Sequence, residues 1–214
     1  MTQPQLIERV FKPAVFLVAL VPFAYLVWGM FNDGLGANPV NEFIRQTGLW
    51  GLRFLLITLC VTPVRRMSGW NPIMKFRRML GLYAFFYSAL HLIAYVIFEA
   101  ELDIIYVIKD AIYRMYITVG WIGLLPLIPL AITSTDGMLR RLGGKRWQQL
   151  HRLVHVATLA SVGHYLLLVK ADLRDPLFYL VIALLLMLLR FPPVAKQLSG
   201  LRSASSERAA KSVR

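Results

Sequence analysis

Carboxylates are scarce in this chain: 11 Asp and Glu stand against 24 Lys and Arg, for a formal charge of +13. Charge of either sign is also scarce, at 16% of residues against 57% hydrophobic, a balance too apolar for a soluble domain. The cations sit in short clusters between apolar runs and not along one polar face. Orientation in a lipid bilayer, and not nucleic-acid binding, therefore accounts for the basic excess.

Cysteine is almost missing. The single Cys60 lies within an apolar run and reads as core. It excludes an intrachain disulfide and a Cys-x-x-Cys-His attachment site, so any haem must be held noncovalently. Long polar segments are missing too, which leaves no room for a nucleotide-binding domain. The stretch GLGANP at 34–39 lacks the third glycine and the preceding strand of a dinucleotide fingerprint, and reads as a tight loop. No internal repeat or inverted half-symmetry is evident, which argues against a secondary transporter.

What the sequence has is apolar runs, at 13–31, 49–64, 79–98, 116–133, 150–169 and 177–191. These predict an all-α integral membrane bundle of six spans, the last one short, with only 13 residues between Pro176 and Arg190. Arg9 and Lys12 precede the first run as in a signal peptide, but no small-x-small cleavage site ends it, so it reads as a retained span. Arg65, Arg66, Lys75, Arg77 and Arg78 make the second connection basic; Arg140, Arg141, Lys145 and Arg146 do the same for the fourth. Those loops are expected in the cytoplasm. The acidic third connection, with Glu99, Glu101, Asp103 and Asp110, is expected outside. Both termini then lie inside. Residues 1–195 form one membrane domain, and 196–214 a basic tail whose Ser/Ala-rich end is expected to be disordered.

Three of the four histidines fall in one apolar stretch, HRLVHVATLASVGH at 151–164, and the fourth, His91, falls in the third run. Ionisable groups inside spans mark function, and imidazole is the commonest metal ligand. His91 lies 13 residues beyond Arg78, and His164 lies 13 beyond His151. At 1.5 Å per residue, about 20 Å of rise separates His151 from His164. His91 and His164 thus share the outer level, where two axial imidazoles suit a haem iron. His151 lies at the inner level opposite Arg77 and Arg78, with no second histidine in the third span. Thirteen steps of 100° also leave His151 and His164 roughly 140° apart around a straight helix, so spacing alone does not establish two haems. His155, about 40° from His151, is a substitute iron ligand or a packing histidine. Arg77 and Arg78, with Arg146 and Arg152, crowd the inner mouth, where they serve topology or bind haem propionates, a flavin phosphate or anionic lipid. Arg53, four residues into its run, either meets an outer haem propionate or snorkels.

The stretches GLGANPVNEFIRQTG, RRMLGLYAFFYSALH and TSTDGMLRRLGGKRWQQLHRLVH, with the GHY that follows, resemble the haem-binding membrane subunits of periplasmic methionine-sulfoxide reductase systems. KRWQQLH is shared more loosely with the ferric-reductase-like transmembrane superfamily. The resemblance covers about residues 20–190. It implies a b-type cytochrome of a bacterial inner membrane with one or two haems on His91, His151 and His164. It further implies electron delivery to a separate periplasmic molybdenum enzyme that repairs oxidised methionine. FMN, and a quinone pool or a cytoplasmic flavin reductase as donor, go with the family. Two readings stay open beside it: a self-contained ferric or cupric ion reductase, and a non-redox transporter or scaffold.

Overall fold

Asn38 and Pro39 begin the longest helix of the structure, a computed structural model that describes residues 3–191, 193 and 194. The helices are α1 (Ile7–Phe31), α2 (Pro39–Ser68), α3 (Asn71–Glu99), α4 (Ile104–Tyr113), α5 (Met115–Ile132), α6 (Asp136–Leu142), α7 (Gly144–Leu150), α8 (Leu153–Leu168) and α9 (Arg174–Leu188). No strand occurs among the described residues. The tail expected at 196–214 lies outside them.

Four helices, α1, α2, α3 and α5, are long and apolar enough to cross a membrane. The fifth and sixth expected spans form the shorter α8 and α9, of 16 and 15 residues. Helix α2 is the hub: 67% of its apolar window is buried, against 17% to 22% for the other three. It pairs along its length with α3, while α5 pairs with α8. Contacts of α8 with α2, and of α3 with the second half of α5, join the two pairs; α1 packs outside α2 and α3, and α9 outside α8 and α2.

Local chemistry explains the joints. The Asn38 side chain accepts from Asn41 N–H at 3.1 Å to cap α2, whose first turn carries Pro39. At its other end Gly69 takes φ of 73°, a left-handed cap that few other residues accept, after Arg65 and Arg66 in the last turn. Pro22 interrupts the ladder of α1, and Tyr87 of α3 repairs it. The Phe23 N–H donates to Tyr87 Oη at 3.1 Å, and Tyr87 Oη donates to Ala19 O at 2.8 Å, so a buried phenol stands inside the helical ladder. Tyr83 adds a second tie, from Oη to Phe16 O at 2.8 Å.

The acidic third connection holds α4. Asp103 caps it, accepting from Ile105 N–H at 2.8 Å and Tyr106 N–H at 3.1 Å. Ile104, Ile105, Ile108 and Ile112 are exposed on one side, whereas Val107 and Asp110 are buried on the other. The Asp110 carboxylate accepts from Tyr95 Oη at 2.7 Å and from Arg114 Nε at 3.1 Å. That network fixes the turn from which α5 starts, beside the mouth of the cavity described next.

Candidate cofactor site between facing histidines

His91 of α3 and His164 of α8 face each other with ring centroids 6.1 Å apart and planes at 76°. Each ring is held by a carbonyl of the helix it packs on. His91 Nδ1–H donates to Ile44 O at 2.8 Å, and His164 Nδ1–H donates to Tyr116 O at 2.6 Å. A carbonyl only accepts, so the proton is assigned to Nδ1 and Nε2 keeps its lone pair for a metal. Two metal–nitrogen bonds of about 2 Å, with the ring radii added, span roughly the 6.1 Å observed.

Glycine permits this approach. A Cβ on Gly48 would lie 3.0 Å from His91 Nδ1, and one on Gly120 would lie 3.0 Å from His164 Nδ1. One turn further along, Gly51 meets Ser88 Oγ at 2.7 Å and Gly123 meets Ser161 Oγ at 3.1 Å by the same measure. Both rings line a cavity of about 590 Å³ whose walls include Leu49, Leu52, Trp121 and Leu124, with Arg45 and Arg114 also bordering it. That size suits a cofactor. Among the described residues no three His, Cys, Asp or Glu side chains gather to hold a bare metal ion. Two imidazoles and an apolar slot fit a metal that arrives in an apolar macrocycle.

The other candidate residues lie elsewhere. The His151 ring stacks on Trp147, centroids 3.7 Å apart, and its Nε2 is 3.3 Å from Thr133 Oγ1. No histidine faces it. His155 Nδ1 is buried without a hydrogen-bond partner among the described residues. Arg53 does not border the cavity; its Nε donates to Tyr179 Oη at 2.9 Å, and its guanidinium covers Trp50 at 4.7 Å. Arg78 pairs with Asp136, an exposed carboxyl that this hydrogen bond holds below its usual range. Arg77 is half-buried and does not border the cavity. Cys60 packs against the core, as its place in the sequence predicts.

A family model described as ferric reductase like transmembrane component matches residues 47–162. The chain belongs to this ferric-reductase-like transmembrane family. It is also similar, over most of its length, to proteins named Protein-methionine-sulfoxide reductase heme-binding subunit MsrQ. The relative from Rhodospirillum rubrum is 46% identical over 194 residues, covering 90% of this chain and 93% of its own. That from Herminiimonas arsenicoxydans is 46% identical over 189 residues, with 87% and 86% covered. One from Caulobacter vibrioides is 46% identical over 176 residues, with 82% and 84% covered.

Residues 44–164, a stretch slightly longer than the matched region, hold a repeat, which corrects the expectation that the chain has none. Ile44, Gly48 and Gly51 on α2 recur 72 positions on as Tyr116, Gly120 and Gly123 on α5. Ser88 and His91 on α3 recur 73 positions on as Ser161 and His164 on α8. The recurrence is physical: in each pair a carbonyl, a glycine and a glycine of one helix receive the imidazole and the serine of the next. Both pairs run in the same direction, so the repeat is parallel. By the same spacing Arg78 stands where its counterpart is His151, which explains why the inner level has one histidine and not two.

Proposed function

We propose that this protein is the haem-binding, electron-carrying membrane subunit of a methionine-sulfoxide reductase system in a bacterial inner membrane. The observation that carries the reading is the pair of facing imidazoles, His91 and His164, each with Nδ1 tied to a carbonyl and centroids 6.1 Å apart. The names of its relatives point the same way.

His91 and His164 would hold the iron of a b-type haem, which when bound would supply a one-electron couple. The carbonyls of Ile44 and Tyr116 orient the two rings and raise their basicity. Apolar walls at Leu49, Leu52 and Leu124 keep water away, while Arg45 and Arg114 border the cavity paired with Glu42 and Asp110. His151, over Trp147, is the ligand for a second haem, and Arg77 and Arg78 the contacts for its propionates or for the phosphate of FMN. Six spans with both termini in the cytoplasm put the paired histidines near the periplasmic side. Electrons enter from quinol or a cytoplasmic flavin reductase and leave to a separate molybdenum-containing periplasmic reductase. The described residues hold neither a nucleotide domain nor a polar catalytic cluster, and in this reading the donor and the sulfoxide chemistry belong to partners.

The test uses purified protein. A flavin reductase with its reduced flavin, or a quinol, should reduce its haem, and the protein should not reduce methionine sulfoxide until the periplasmic partner is added. Sulfoxide reduction by the chain alone would overturn the conduit reading. Rapid stoichiometric reduction of ferric or cupric salts, with no transfer to the partner, would favour a metal-ion reductase instead.

A further inference from the structure

Away from the facing histidines, the basic end of the bundle gathers cations that no carboxylate meets. Arg190, just beyond α9, donates from Nη2 to Thr62 Oγ1 of α2 at 3.0 Å. Its Nη1 is buried with no hydrogen-bond partner among the described residues, and the same holds for Nδ1 of His155 on α8. Arg77 and Arg66 are close enough to act on Arg190, and Arg190, Arg77 and Arg152 on the His155 ring. The end of α9 is thus tied to α2 at a spot where the positive charge is dense. Arg66 also donates from Nη1 to Leu189 O at 3.3 Å, which anchors the turn that carries Arg190. The ion pairs among the described residues use Arg45, Lys75, Arg78, Arg114 and Arg174, and none of them reaches this cluster.

Like charges in a poorly solvated place repel, and a buried guanidinium donor without an acceptor loses its hydration for nothing. An oxyanion with several acceptor oxygens removes both penalties at once. The surroundings say what carries it. On α9, Leu177, Val181, Leu184 and Leu188 are exposed at helical spacing, and the stripe ends at exposed Phe191, next to Arg190. An anion bound here lies at the head of an apolar track long enough for an acyl chain. Basic pockets between spans, with apolar flanks, are how membrane proteins hold anionic headgroups.

We infer that Arg190 and Thr62, with the buried His155 ring, form a site for the phosphate of an anionic phospholipid whose chains lie along α9. This inference does not depend on the electron-transfer reading. A soluble phosphate offers the same oxygens without the chains, so the experiment separates the two.

The holoprotein is placed in nanodiscs of phosphatidylcholine with or without phosphatidylglycerol, and retained lipid is counted by native mass spectrometry after extraction. Thermal unfolding and the haem absorbance are recorded alongside. Phosphatidylglycerol should be retained and should raise the unfolding temperature, whereas phosphatidylcholine and inorganic phosphate should do neither. Arg190→Gln should weaken phosphatidylglycerol retention by about tenfold, the equivalent of one charged hydrogen bond, with the haem absorbance unchanged. Thr62→Val, which removes only a hydroxyl, should weaken it in the same direction and serves if Arg190→Gln does not assemble. Equal retention by the wild type and both variants would overturn the site. Stabilisation by inorganic phosphate equal to that by phosphatidylglycerol would overturn the lipid assignment. Loss of haem from Arg190→Gln would assign the cluster to the cofactor's own carboxylates and overturn it as well.

Discussion

Gly48 lies against the ring of His91: a Cβ there would stand 3.0 Å from Nδ1 and 3.1 Å from Cε1. The ring cannot simply retreat, because the same Nδ1 is bonded to Ile44 O at 2.8 Å. Alanine in place of a helical glycine ordinarily adds roughly 0.5–1 kcal/mol of stability. Here the crowding should outweigh that gain, at about 1–3 kcal/mol. Gly48→Ala and Gly120→Ala should therefore each lower the unfolding temperature and broaden or shift the haem spectrum. A stabilised variant with an unaltered spectrum would show that the contact is not tight.

The next glycines along give a graded version of the same test. A Cβ on Gly51 would meet Ser88 Oγ at 2.7 Å, and one on Gly123 would meet Ser161 Oγ at 3.1 Å. Gly51→Ala should cost more stability than Gly123→Ala. Adding Ser88→Ala should recover part of the loss, since the nearest atoms left are backbone at 3.3 and 3.5 Å. Differential scanning fluorimetry of the two singles and the double decides it; a double no better than Gly51→Ala would place the strain elsewhere.

Tyr87 should be costly to remove. Tyr87→Phe keeps the packing but leaves Phe23 N–H and Ala19 O unbonded beside Pro22. Each unsatisfied buried group costs about 1–3 kcal/mol, so a fall in unfolding temperature is expected, with loosening of α1 detectable as faster amide exchange around Ala19.

His151 and His155 sit only four residues apart but have different surroundings. One stacks on Trp147 beside Thr133, and the other has a buried Nδ1 with no hydrogen-bond partner among the described residues. Their alanine replacements should act additively on haem content, with His151→Ala removing a part of it and His155→Ala little. Strong non-additivity in the double variant would make them alternatives for one iron.

Much of this was readable from residue order. Equal spacing from basic residues put His91 and His164 at one depth, and the structure brings them face to face. The first four apolar runs became helices of spanning length, while the last two gave α8 and α9, which are shorter. The repeat escaped notice because five positions carry it, namely a backbone carbonyl, two glycines, a serine and a histidine. The apolar residues between them are interchangeable wherever only lipid or loose packing is met. Helix α4 was hidden for another reason: its charges dominated the reading of that connection, and buried Asp110 gives no sign in sequence that it pairs with Tyr95 and Arg114. Arg53 looked like a cofactor contact by depth alone, whereas direction around the helix sends it to Tyr179.

Orientation is open to a direct check. Reporter fusions after residues 72 and 143 should report the cytoplasm, and fusions after 40 and 106 the periplasm. Inversion at either basic loop would move the paired histidines to the other side.

The central claim is that His91 and His164 together ligate one haem iron, and electron paramagnetic resonance of the oxidised protein, with pyridine haemochrome quantification, tests it most directly. The account predicts a low-spin signal of two near-perpendicular imidazoles in the wild type, in keeping with the 76° between the rings. His91→Ala and His164→Ala should each abolish it, while His151→Ala should leave it in place. Retention of that signal in His164→Ala, or haem lost from His155→Ala alone, would contradict the account.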